Sequence, residues 1–138
     1  LGGDIVMDKK IKVFLAAFTA LAVSVSSTVC YAASKNVSTT LSGNSIRGEL
    51  SVADTSASAS LNSSMQADLS VNGYVIIANR YDSSIPNYQK TLAASEGATF
   101  HVSSSVSVNN TAHERIVSGY CTFYAWYNAA SWSESVSY

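Results

Sequence analysis

Two histidines, His101 and His113, seven carboxylates between Glu49 and Glu134, and one thiol, Cys121, are the groups of residues 33–138 that could do proton or nucleophile chemistry. A hydrolytic triad needs a base held by a carboxylate and set beside a nucleophile. Serine fills 23 of these positions, so a hydroxyl near either histidine carries no information. No Gly-x-Ser-x-Gly elbow occurs to expose one serine as a nucleophile. Glycoside hydrolysis needs two carboxylates that converge in a cleft. Here Glu49, Asp54, Asp68, Asp82, Glu96, Glu114 and Glu134 are spread along the chain without a pairing pattern. No cluster of Cys and His has the spacing of a zinc site. The residues therefore assign no catalytic group, no metal ligand and no cofactor, and the expectation is a protein that is not an enzyme.

The aromatic residues give the stronger lead. Tyr120, Tyr124, Trp126, Tyr127, Trp132 and Tyr138 crowd the C-terminal third. Tyr and Trp join a broad apolar face to a polar tip, which suits them to stacking on a sugar ring or anchoring a protein partner. Aromatic residues in strands also fill cores, so two readings stand: core packing, or a ligand-facing platform. On the second, Tyr120, Tyr124, Trp126 and Trp132 are the candidate ligand-binding residues, and the ligand is an extracellular glycan or protein. Glu134 alternates in phase with Trp132, Val136 and Tyr138. It either pairs with Arg80 or Arg115, or it guards an edge strand against further sheet pairing.

Strands have to position these groups, because the recurrent signal is period two. Phe100, Val102, Ser104, Val106 and Val108 alternate with His101, Ser103, Ser105, Ser107 and Asn109. Met65 to Val71, Ala57 to Leu61 and Ser131 to Tyr138 alternate in the same way. Ser and Thr are expected to coat the outward faces. From Tyr120 to Tyr127 both faces are apolar, which places that strand in the middle of a sheet. Turn signals stand at Ser42-Gly43-Asn44, Asp54-Thr55, Asn62-Ser63, Asn72-Gly73, Asn109-Asn110 and Asn128, with Asn-Gly the strongest hairpin dipeptide among them. Pro86 lies in a polar loop from Asp82 to Asn87, and Tyr88 to Glu96, closed by Gly97, reads as one or two helical turns. Seven to eight short strands in about a hundred residues predict an all-β fold, a small antiparallel β-sandwich of immunoglobulin-like type, with a small β-barrel as the alternative.

The N-terminal part reads differently. Lys9, Lys10 and Lys12 precede an apolar run from Val13 to Val25 that is broken only by Thr19 and Ser24. Cys30 and Ala32 then supply small residues at −3 and −1, the pattern of a secretory signal peptide cut after Ala32. Val29 and Ser27 do not suit lipid attachment at Cys30, and the apolar run is shorter than the roughly 20 residues of a spanning helix. Residues 1–6 read as upstream sequence outside the true start at Met7, 7–32 as the signal peptide, and 33–138 as one mature domain. The expected location is extracellular, with membrane contact only during export.

The mature part carries five basic and seven acidic residues, scattered along its length. No basic stripe exists to follow phosphates, which argues against nucleic acid. With Cys30 removed, Cys121 has no partner for an internal disulfide, and its aromatic neighbours suit a small buried hydrophobe.

The segments Gly48-Glu49-Leu50-Ser51-Val52, Thr55-Ser56-Ala57-Ser58-Ala59-Ser60 and Trp132-Ser133 through Tyr138, with the Lys-rich leader, resemble uncharacterised small secreted β-proteins of Gram-positive gut bacteria. That resemblance implies secretion and a β fold and brings no functional residues. The expected function is that of an extracellular binding or surface-interaction module. The alternatives are a bacteriocin-like antagonist and a self-assembling matrix protein, the last motivated by the uncharged alternation of Ser56 to Leu61.

Overall fold

A computed structural model describes residues 32–138. The expected upstream residues 1–6 and, apart from Ala32, the signal segment 7–32 lie outside the described residues.

The described chain is all-β, and its strands are all antiparallel: β1 Ala33–Leu41, β2 Asn44–Val52, β3 Ser56–Asn79, β4 Tyr88–Ser107, β5 Glu114–Tyr127 and β6 Ala130–Ser137. They form one sheet in the order β1-β2-β3-β5-β6, with β4 paired to β3. Both ends of β3 carry strand pairing on two sides. Residues 57–63 pair with β2, residues 68–79 pair with β5, and β4 runs along nearly the whole length of β3. Because β4 occupies one edge of β3, β2 and β5 share the other, one after the other.

The β3–β4 hairpin bends in its middle. Between the pairs Asn62↔His101 and Ala67↔Thr99, β3 advances five residues while β4 advances two, an irregularity that turns the strand. Ser63 Oγ accepts from the Met65 amide at 3.2 Å and Asp68 Oδ1 accepts from the Ala98 amide at 3.0 Å, so backbone groups released by the bend are satisfied. Ala98 takes φ +48° at that corner. The bend folds the sheet onto itself into a nearly closed barrel, in which β1 and β6 approach one another.

The core is the inner face of this curved sheet. Along β3 the odd positions turn inward without a break in phase, from Ala57, Ala59 and Leu61 through Leu69 and Val71 to Val75 and Ile77, all buried. Ile46 and Leu50 of β2 and Cys121, Phe123 and Ala125 of β5 complete it. Along β3 the even positions turn outward and are mostly Ser and Asn.

Six strands replace the expected seven to eight, and one continuous sheet nearly closed into a barrel replaces two separate sheets. The difference lies in two turn signals that are not turns. Asn72-Gly73 sits inside β3, opposite Thr122 and Cys121. A Cβ on Gly73 would lie 2.1 Å from the Tyr120 carbonyl oxygen, so glycine is there to admit a neighbouring backbone. Asn62-Ser63 marks the bend and not a chain reversal. Tyr88 to Glu96 is strand and not helix, because pairing with β3 supplies its backbone bonds, and Gly97 stands at the corner. The remaining signals do reverse the chain. Ser42 and Gly43 hold φ of +51° and +81° in the two-residue β1–β2 turn, and Asn128 holds +53° between β5 and β6.

Candidate binding face

β5 is central, paired with β3 on one side and β6 on the other, as its two apolar faces required. Strand alternation sends Cys121, Phe123 and Ala125 inward, each fully buried, and Tyr120, Thr122, Tyr124 and Trp126 outward. Tyr120 is 36 % exposed and Trp126 43 %, so these two are not core residues. Six residue steps of strand separate them, about 20 Å.

The rings are held in place. Tyr124 and Trp126 stack with planes 6° apart and centroids 5.5 Å apart. Each ring covers one face of the other, with Tyr124 half-buried and Trp126 the more exposed of the two. Tyr120 is fixed through its hydroxyl. Thr122 Oγ1 donates to it at 3.0 Å, it donates to Ser135 Oγ at 3.0 Å, and Ser135 and Thr122 close the circle at 2.8 Å. A closed circle of hydroxyls polarises each member in turn. Hydrogen bonding with Ser135 and then Thr122 lowers the Tyr120 pKa below the usual phenol value.

Tyr74 joins this group from β3. It lies directly opposite Tyr120, with ring centroids 5.7 Å apart and planes tilted by 34°. Reading Asn72-Gly73 as a turn hid it, since that reading ends the strand before Tyr74. Its in-phase position with Ser70 and Asn72 was the signal that could have found it.

Trp132 takes a different place from the other three candidates. It alternates with the buried Val136, facing the inner side of β6, and packs half-buried against the core. It still borders the shallow hollow of about 210 Å³ formed by Tyr124, Trp126, Ser131, Trp132 and Ser133. The face around the aromatic row is polar and nearly uncharged. Ser131, Ser133, Ser135 and Ser137 of β6 run along one side, Ser70 and Asn72 of β3 along the other. Asp68, opposite Trp126, is the charged residue among these outward positions, and its carboxylate already accepts from the Ala98 amide.

The proton-transfer groups lie elsewhere. His101 is exposed on β4, and its Nδ1 donates to the amide oxygen of Asn62 at 2.7 Å. His113 is exposed in the loop before β5 and meets Tyr81 edge to face at 5.8 Å. Cys121 is fully buried, and burial pushes its thiol up to about 11. Glu134 is exposed on β6, while Arg80 pairs with Asp54 and also donates from Nε to the Glu114 carbonyl at 3.0 Å. Ser56 to Leu61, whose uncharged alternation motivated the self-assembly alternative, is flanked by β2 and β4. No protein-family model matches the chain, and neither a curated protein nor a solved structure matches it.

Proposed function

We propose that the protein is an extracellular, non-enzymatic binding module, and that the outward face of β5 is its ligand surface. The observation that carries this reading is the row of Tyr120, half-buried Tyr124 and Trp126 on the outward sheet face, held by ring stacking and by the hydroxyl circle. Large aromatic side chains exposed together on a rigid sheet give contact area at little entropic cost. Export rests on the leader-like pattern of Lys9 to Ala32. The non-enzymatic reading is supported by His101, whose ring is engaged by an amide, and by Cys121, whose thiol is held protonated in the core.

Glycan arrays and pull-downs from bacterial and host surface material, run with wild type and with the Tyr124→Ser/Trp126→Ser double variant, test this. Capture that the double variant loses supports the reading. Capture that survives in the double variant, or none at all, removes it.

A further inference from the structure

We infer that the ligand of this face is a neutral, extended polysaccharide chain lying along β5; the inference rests on the binding-module reading and specifies its ligand.

The shape of the site sets the first limit. The hollow beside Tyr124 and Trp126 is shallow, about 210 Å³, and opens onto a sheet face without a deep pocket. A monosaccharide or a drug-like molecule gains affinity by burying most of its surface in a cleft of several hundred Å³. A linear chain instead gains it by repeated contacts, and the row from Tyr120 to Trp126 offers them over about 20 Å.

The chemistry of the contacts sets the second. An aromatic face is electron-rich and attracts the slightly positive C–H groups of a pyranose face. The equatorial hydroxyls of that sugar then point sideways, parallel to the sheet. On both sides of the ring row stand neutral groups that both donate and accept: Ser131 and Ser133 toward β6, Ser70 and Asn72 toward β3.

Charge sets the third. Sulfate, phosphate and uronate groups are recognised by Arg or Lys. The outward positions around the row hold no cation, and their one charge, Asp68, repels an anionic chain. A protein partner fits less well, because protein interfaces bury roughly 800 Å² per side around an apolar centre. Here serine begins on β6, the strand next to the aromatic row on one side, and on the other side Tyr74 alone extends the row among Ser70 and Asn72.

Affinity electrophoresis and calorimetry with a panel of soluble chains test the inference: mixed-linkage β-glucan, galactomannan and dextran as neutral probes, polygalacturonate and heparin as anionic ones. The expected result is retention by at least one neutral chain, unchanged when salt is raised to roughly 0.5 M, because no ion pair is involved. Affinity should rise with oligosaccharide length until the chain spans Tyr120 to Trp126. Trp126→Ala and Tyr124→Ala should each weaken binding at least about tenfold. Tyr81→Ser, which removes an aromatic side chain 76 % exposed in the β3–β4 loop beside His113, beyond the Asn79–Glu114 end of the β3–β5 ladder, should leave it unchanged. Circular dichroism shows that each variant folds. Binding of an anionic chain or a protein that is lost in Trp126→Ala overturns the neutral-polysaccharide inference and leaves the binding face standing. No probe or surface component captured through Trp126 overturns both.

Discussion

The ring of Phe123 on β5 lies so close over Gly48 on β2 that a Cβ at position 48 would stand 2.7 Å from the ring's Cγ. β2 and β5 occupy different stretches of the same edge of β3 and share no ladder, so this contact crosses the interior and closes the barrel. Phe123 is fully buried and has nowhere to retreat. Gly48→Ala should therefore destabilise the protein by about 1–3 kcal/mol through overpacking. Urea unfolding checks this as a lowered midpoint at unchanged slope. An unshifted midpoint would mean that the two walls are not in contact there.

Gly73→Ala should cost more. The obstacle there is backbone, the Tyr120 carbonyl and the Cys121 Cα, and not the end of a side chain. The β3–β5 ladder has to open locally, so the aromatic row should lose order together with stability. Loss of the exposed tyrosine near-ultraviolet signal before global unfolding would report this.

Much of this fold was readable, and the exceptions share a cause. Alternation put Cys121 and Phe123 on one face and Tyr120, Tyr124 and Trp126 on the other, because the period of a strand is a property of the chain itself; with both faces apolar it left open which of them turns inward. Ser42-Gly43 and Asn128 were read as turns because positive φ is a local demand. Asn72-Gly73 misled because glycine serves two needs, a reversed backbone or a close neighbour, and only the position of β5 tells which. Tyr88 to Glu96 lies on the edge of the barrel, where pairing with β3 overrides a weak helical pattern. Trp132 joined the candidate site by composition, while its phase with Val136 already set it on the inner side. The meeting of Tyr74 with Tyr120 depends on the β3–β5 register, which no local pattern encodes.

Stability should fall at alkaline pH. Burial raises the Cys121 thiol from 9.0 to about 11, and it raises the Tyr88 phenol above its usual value, with Glu114 adding to the shift. In both cases the folded pKa exceeds the unfolded one. Their contribution is complete below the unfolded value and is lost as pH rises through the folded value, for Cys121 between about 9 and 11. Cys121→Val should flatten that decline in a plot of unfolding midpoint against pH. In the native protein at pH 8, Cys121 should resist thiol reagents and react only after denaturation. Rapid native labelling would contradict its placement.

Acid should act through other groups. The Ser84 hydroxyl and then its amide hold Asp82 below its usual value, and the Asn110 amide does the same for Glu114. These depressed carboxyls contribute stability above their unfolded pKa and lose it as pH falls through the folded one. Glu114→Gln should shift the acid midpoint of unfolding downward relative to wild type, because one fewer group then binds a proton on unfolding.

Arg80 ties three connections at one end of the barrel. Its guanidinium pairs with Asp54 in the β2–β3 turn and donates to the Glu114 carbonyl, while its amide donates to the His113 carbonyl at 2.7 Å. The pair is partly exposed, which limits its worth to about 1 kcal/mol. Arg80→Ala should cost about that, and Arg80→Lys should recover only part, since an ammonium cannot span both acceptors in the planar geometry. Wild-type stability in Arg80→Lys would contradict this and assign the whole effect to one contact.

The most direct measurement of the central claim is an amide and indole NMR titration of the protein with a soluble neutral polysaccharide. Shifts confined to Tyr120, Thr122, Tyr124, Trp126 and the facing Ser70, Asn72 and Ser133, with the Trp126 indole moving and the Arg47, Asn62 and His101 region unmoved, are the predicted result. Shifts centred on the opposite wall around Arg47, Asn62 and His101, or none at saturating ligand, would contradict the assignment of the β5 face.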